Sequence, residues 1–209
     1  MLYKTTNKLF KGTYQYKIVL VCAGAGVFRS GDMAAAAESL NKTDLSKVGS
    51  YHKYSNNIRT QDDLDYAIAL QKKISKMVDY EIRVENPWIT LYSNNSKDIH
   101  DLAKIDDTHV KYICQPPANT VLVEGTIILP KVPFEFKVTV GKTTQNYSAF
   151  IDWAKTNSKV KLTKGCTQDL NRERSWGGTY FYITGDNMLL MAKMHLGGSI
   201  NKIERIIKA

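Results

Sequence analysis

The chain has 209 residues, 43% of them apolar and 23% charged, and a formal net charge of +9. That is ordinary globular composition with length enough for one large or two small cores, which excludes wholesale disorder. Its longest apolar runs, Ile18 to Val27 and Val121 to Pro130, are too short and too interrupted for a membrane span. The lysines of Met1 to Lys11 are not followed by the apolar region and cleavage site of a secretory leader.

Three cysteines, Cys22, Cys114 and Cys166, lie far apart and lack zinc-site spacing, so no disulfide framework, metal or cofactor is expected. Reduced thiols and the absence of a span give a cytoplasmic expectation. Frequent Lys, Asn, Ile and Tyr point to an AT-rich genome and suggest a viral source, which would make the compartment the host cytoplasm.

The first strand is expected over Tyr14 to Ala23, where Tyr16, Ile18, Leu20 and Cys22 alternate with Lys17, Val19 and Val21. Gly24, Gly26 and Gly31 mark a turn, and Ser30 or Asp32 can cap an alanine-rich helix through Leu40. The polar stretch 41–59 reads as an insertion. A helix over Gln61 to Met77 follows, with Asp62, Asp63 and Asp65 at its positive end and Lys72, Lys73 and Lys76 at its negative end. Tyr80 to Glu85 and Trp88 to Ser93 form a hairpin turned by Asn86 and Pro87. Asn95 or Ser96 caps a helix through Ile105, and His109 to Cys114 closes the unit.

Pro116, Pro117, Pro130 and Pro133 bracket a connector over 116–133, inside which Val121 to Leu129 can add a strand. The order then repeats. Phe134 to Val140 alternates as a strand, with Glu135, Lys137 and Thr139 on its outward side. Asn146 or Ser148 starts a helix, and Val160 and Leu162 pair across a long connection with Thr179 to Thr184. Thr184 or Asp186 caps a helix over Met188 to Leu196, and Ile200 to Ile207 is the last strand. The expected fold class is α+β, with tandem ferredoxin-like (βαββαβ) units whose antiparallel sheets carry the helices on one face. The units run over 1–115 and 134–209.

Charge is uneven, at +3 over residues 1–115 and +6 over 116–209. Lys155, Lys159, Lys161, Lys164, Arg172 and Arg174 gather around the long connection of the second unit, and Trp176, Tyr180 and Tyr182 follow. Cations for phosphates beside rings for bases are what a single-stranded nucleic-acid site needs, with RNA the first choice. Gly177 and Gly178 leading into Thr179 to Thr184 resemble the glycine-then-aromatic strand of RNA-recognition motifs. The aromatic partner that those motifs place on the neighbouring strand is missing here.

A protein contact through Trp88 and Tyr92 is the alternative, as in an assembly subunit. Metal-free RNA cleavage is the third reading, with His52 beside Tyr51, Lys53 and Tyr54 as its candidate catalyst. Two ferredoxin-like units with Gly197 and Gly198 before the last strand resemble the repeat-processing endoribonucleases of CRISPR systems. The fuller glycine-rich signature of that family is absent, so none of its residues is carried over.

Overall fold

In the computed structural model, which describes residues 2–45 and 58–208, the chain is mixed α+β and divides into two compact units, Met1–Leu122 and Val123–Ala209. His52 and most of the polar insertion lie outside the described residues. No helix among those described is long and apolar enough to cross a membrane.

The first unit contains β1 (Tyr3–Thr5), β2 (Tyr16–Val21), α1 (Met33–Asn41), α2 (Gln61–Ile74), β3 (Tyr80–Glu85), β4 (Trp88–Ser93), α3 (Ser96–Ala103) and β5 (Val110–Gln115). Sheet order is β1-β5-β2-β4-β3; β1 runs parallel to β5 and every other pair is antiparallel. The hairpin has the expected bounds because its alternation is uninterrupted and Pro87, which has no N–H to give a ladder, sits in its turn. β1 is an unanticipated edge strand. Its three residues are all exposed, so it carries no apolar alternation to read.

Helix starts follow side-chain chemistry. Asp32 accepts from the N–H groups of Ala34 and Ala35, and Asn95 accepts from that of Lys97. Thr60 and Asp63 form a reciprocal capping box at the start of α2, satisfying amides the helix leaves unpaired. The core closes between these helices and one face of the sheet. Ile18 and Leu20 of β2, Ile89 and Leu91 of β4, Leu70 and Ile74 of α2, and Ile99 and Leu102 of α3 are all fully buried. Each such side chain contributes about 1.5–3 kcal/mol on leaving water.

The second unit holds β6 (Thr126–Ile128), β7 (Phe136–Val140), α4 (Ser148–Thr156), β8 (Val160–Leu162), α5 (Lys164–Leu170), β9 (Tyr180–Ile183), α6 (Asp186–Leu196) and β10 (Ile200–Ile207). Its sheet order, β6-β10-β7-β9-β8, matches that of the first sheet position for position, including the parallel edge strand beside the last one. Two details differ from expectation. The long connection between β8 and β9 contains α5, capped by Thr163 and anchored by buried Cys166 and Leu170. The residue before α6 is Gly185, which has no side chain to cap with, and Asp186 sits in the first turn instead. α4 begins at Ser148, one of its two expected starts; Tyr147 before it makes no side-chain cap, and its hydroxyl meets Ser199 Oγ at 2.6 Å.

Phe150, Phe181, Val138, Ile183 and Ala192 fill the second core, with the Phe150 and Phe181 rings 5.3 Å apart. Alternation along β7 and β9 fixes which side chains remain for the opposite face of the sheet.

Candidate nucleic-acid interface

With Phe181 and Ile183 fully buried under the helices, Tyr180 and Tyr182 stand on the open face of the second sheet. Lys137 and Thr139 of β7 stand there as well, because Val138 and Val140 point into the core. Register places Tyr182 opposite Lys137 on one side and opposite Lys161 on the other. A tyrosine thus lies between two lysines on adjacent strands about 4.8 Å away on either side. The next residue in that row, Glu204, is buried, and its carboxylate is met by Lys202 Nζ at 2.8 Å.

The rings form one cluster. Tyr180 and Tyr182 meet edge to face at 5.5 Å, and Lys137 Nζ lies 4.3 Å from the Tyr180 ring centroid. Phe134 stacks on Tyr182 at 5.9 Å with the planes only 17° apart. Alternation continued back to Phe134 puts that ring with the inward residues of β7 and leaves the open face without a second one. The strand begins only at Phe136, after Pro133. Glu135, whose N–H donates to Ile183 O and whose carbonyl accepts from Ile206 N–H, interrupts the alternation and leaves Phe134 beside Tyr182. Burial, and then the Tyr180 hydroxyl beside it, push the Tyr182 phenol above its ordinary range, so it stays a neutral donor at physiological pH.

At the end of the sheet where β8 stops, segment 171–178 crosses the end of β7. Thr143 and Ser175 exchange backbone hydrogen bonds at 3.0 and 3.2 Å, and Gly178 N–H donates to Val140 O at 2.8 Å. Gly177, with φ of +75°, passes so close to Gly141 that a Cβ would lie 2.2 Å from its carbonyl carbon. Only glycine fits there. This crossing presents Trp176 with 91% of its surface exposed, and Lys142 Nζ lies 5.3 Å from its ring. Thr163 ties α5 to the sheet, its hydroxyl donating to Tyr180 O at 2.6 Å and accepting from Cys166 N–H at 3.2 Å.

The expected site residues therefore fall into three groups. Lys161, Tyr180 and Tyr182 share the open face. Lys164, Arg174 and Trp176 lie at the end where β8 stops, with Arg172 at the carboxyl end of α5 and 3.5 Å from Asp169. Lys155 and Lys159 precede β8 and belong to the opposite end of the sheet, and Lys155 sits 3.4 Å from Asp152. The basic run is thus split, because β8 carries the chain from one end of the sheet to the other, roughly 16 Å between Lys159 and Lys164. Phe134, Lys137 and Lys142 join the site without having been assigned to it. For Lys137 the signal was its place on the outward side of an alternating strand.

In the first unit the structure separates Trp88 from Tyr92. Trp88 is 41% exposed, whereas Tyr92 is buried beneath Phe10 and Tyr14, whose rings lie 5.8 and 6.2 Å away. The described histidines are engaged in packing. His109 stacks on Tyr66 at 3.9 Å and its Nδ1 is 2.8 Å from Val21 O; His100 packs against Tyr3; His195 lies against Trp153. Among the described residues, no three His, Cys, Asp or Glu side chains gather as metal ligands would. No protein-family model, curated protein or solved structure matches the chain.

Proposed function

We propose that the chain is a pair of ferredoxin-like units and that the open sheet face of the second binds single-stranded nucleic acid, RNA in the first instance. The observation that carries this reading is the row Lys161–Tyr182–Lys137 with Phe134 and Tyr180 against it. Rings on an open sheet give bases a stacking platform, and flanking ammonium groups meet the phosphates on either side. Trp176 and Lys142, with Lys164 and Arg174 at the same end, extend the path of the strand beyond the sheet.

Binding of a fluorescein-labelled oligo(U) or oligo(dT) to the full chain, followed by anisotropy across a salt series, tests the reading. Tyr182→Ala should weaken binding about 5- to 150-fold, the equivalent of one lost base stack, while Tyr182→Phe keeps the stack and most of the affinity. Lys137→Ala and Lys161→Ala should each flatten the salt dependence by about 0.7 in log–log slope. A wild-type chain that leaves both oligonucleotides unbound at low salt would refute the proposal.

A second reading, protein assembly, is favoured by one observation: Leu190, Met191 and Met194 form an exposed apolar strip along α6. Light scattering at high concentration separates the two, since self-assembly through α6 would be lost on Met194→Glu without change in oligonucleotide affinity.

A further inference from the structure

The open face of the first sheet carries an excess of cations that sequence alone conceals. From its strand alternation that face shows Glu81, Arg83, Glu85 and Trp88, a mixture with no preference for a polyanion. The structure removes both acids from the balance. Glu81 is paired with Lys11 from the segment before β2, and Glu85 with Arg83 on its own strand. Three further lysines stand on the same face: Lys4 of β1, Lys17 of β2 and Lys111 of β5. None has a carboxylate partner among the described residues.

Each is held over a ring instead. Lys4 Nζ is 4.1 Å from the Tyr112 centroid and Lys111 Nζ is 3.6 Å from that of Trp88. Lys17 Nζ lies between the Phe10 and Tyr112 rings at 4.9 and 5.1 Å and is 3.3 Å from Tyr112 Oη. A ring face attracts the charge of an ammonium without taking its N–H groups, so most of the three donors on each lysine stay available. The rings also hold the long stems in place, which lessens the ordering that binding would otherwise require. From β1 across β5 and β2 to β4 is three strand spacings, about 14 Å. At about 3.4 Å per stacked nucleotide this is the reach of roughly four nucleotides.

We infer that this face is a second single-strand site, separate from that of the second unit. Lys4, Lys17 and Lys111 take phosphates, and Trp88, 41% exposed, offers the stacking surface. The inference rests on the reading of the chain as a nucleic-acid binder for the class of ligand, and on its own residues for the site.

The core of the test is four full-length chains: wild type, Lys4→Ala/Lys17→Ala/Lys111→Ala, Lys137→Ala/Lys161→Ala/Tyr182→Ala, and the combination, each titrated with labelled oligo(U) across a salt series. Thermal unfolding by circular dichroism checks that all are folded, and Lys4→Arg/Lys17→Arg/Lys111→Arg separates charge from packing. The first-unit triple should lower the log–log salt slope by about 2, three contacts at about 0.7 each, and the arginine triple should restore it. Trp88→Ala should weaken the binding that survives in the second-unit triple. If the first-unit triple changes neither slope nor affinity in either background, the inference is overturned while the second-unit site stands. If only the first-unit triple loses binding, the second-unit site fails and this one holds. If no chain binds, both fall; if Trp88→Ala is without effect and inorganic polyphosphate competes as well as oligo(U), the face is an anion patch and not a nucleic-acid site.

Discussion

Replacing Gly177 with alanine tests whether the crossing at Gly141 builds the Trp176 end of the candidate site. The new methyl would stand 2.2 Å from Gly141 C and 2.3 Å from Gly141 O, roughly 1.3 Å inside carbon–carbon contact distance. These are backbone atoms, so no rotamer change can relieve the overlap and segment 171–178 must lift. Hydrogen bonds of 2.8–3.2 Å do not survive such a displacement, and three hold the crossing: the pair between Thr143 and Ser175, and Gly178 N–H to Val140 O. At about 1 kcal/mol each, their loss adds about 3 kcal/mol to the ~1–2 kcal/mol an L-residue incurs at positive φ.

The expected cost is therefore about 4–5 kcal/mol, a large part of the 5–15 kcal/mol that usually separates folded from unfolded states. Gly178→Ala is the matched control. Its φ of +89° imposes the same kind of backbone strain, but nothing lies within 4 Å of the added carbon, so it should lose only about 1–2 kcal/mol. Urea unfolding followed by circular dichroism gives both values, and the emission of exposed Trp176 reports lifting of the segment before global unfolding. A Gly177→Ala midpoint no lower than that of Gly178→Ala would refute the reasoning.

Thr60→Ala should cost about 1 kcal/mol by removing the capping box of α2. Burial raises the Asp63 carboxyl, but the Thr60 hydroxyl and the N–H groups of Arg59 and Thr60 outweigh it and hold the group below its ordinary value. Its stabilisation is therefore present above the unfolded carboxylate pKa and fades as pH falls through the lower folded one; Asp63→Asn should make acid unfolding shallower, and an unchanged pH profile would count against it. The Asp101 carboxyl, hydrogen-bonded by Lys97 and Lys73, is drawn down to about 2, so NMR titration should find it moving up in Lys97→Ala, and no movement would deny the contact. Burial pushes the Cys166 thiol up to about 12 and that of Cys22 to about 11, and neither side chain is exposed, so neither should react with a disulfide reagent at pH 8 until the chain unfolds. Fast native labelling of either would show that its packing is wrong.

Much of the strand and helix order was legible because alternation and capping are local. Tyr80–Glu85, Trp88–Ser93 and Ile200–Ile207 have their expected bounds, and Asp32 and Asn95 cap where expected. What local pattern lacked was missed. β1 is three exposed residues whose pairing partner, β5, is more than a hundred positions away. α5 offers only Cys166 and Leu170 as apolar anchors in a basic stretch, and Thr163 was its one signal.

The candidate site was legible to the extent that strand parity placed Tyr180, Tyr182 and Lys161 together. It failed where geometry depends on a broken alternation, as at Phe134, or on ends of a sheet that sequence cannot tell apart, as for Lys155 and Lys159. The cations of the first face were missed for another reason. Their separation from Glu81 and Glu85 depends on side-chain pairing that no linear spacing reveals.

The two sheets share one rung: Lys17 faces Tyr92 across β2 and β4 as Lys137 faces Tyr182 across β7 and β9. Outside that rung the first sheet has Glu81 where the second has Lys161. At that corresponding position the first sheet ties its acid to Lys11 beside a covered tyrosine, whereas the second sets a lysine beside a tyrosine that is only partly buried.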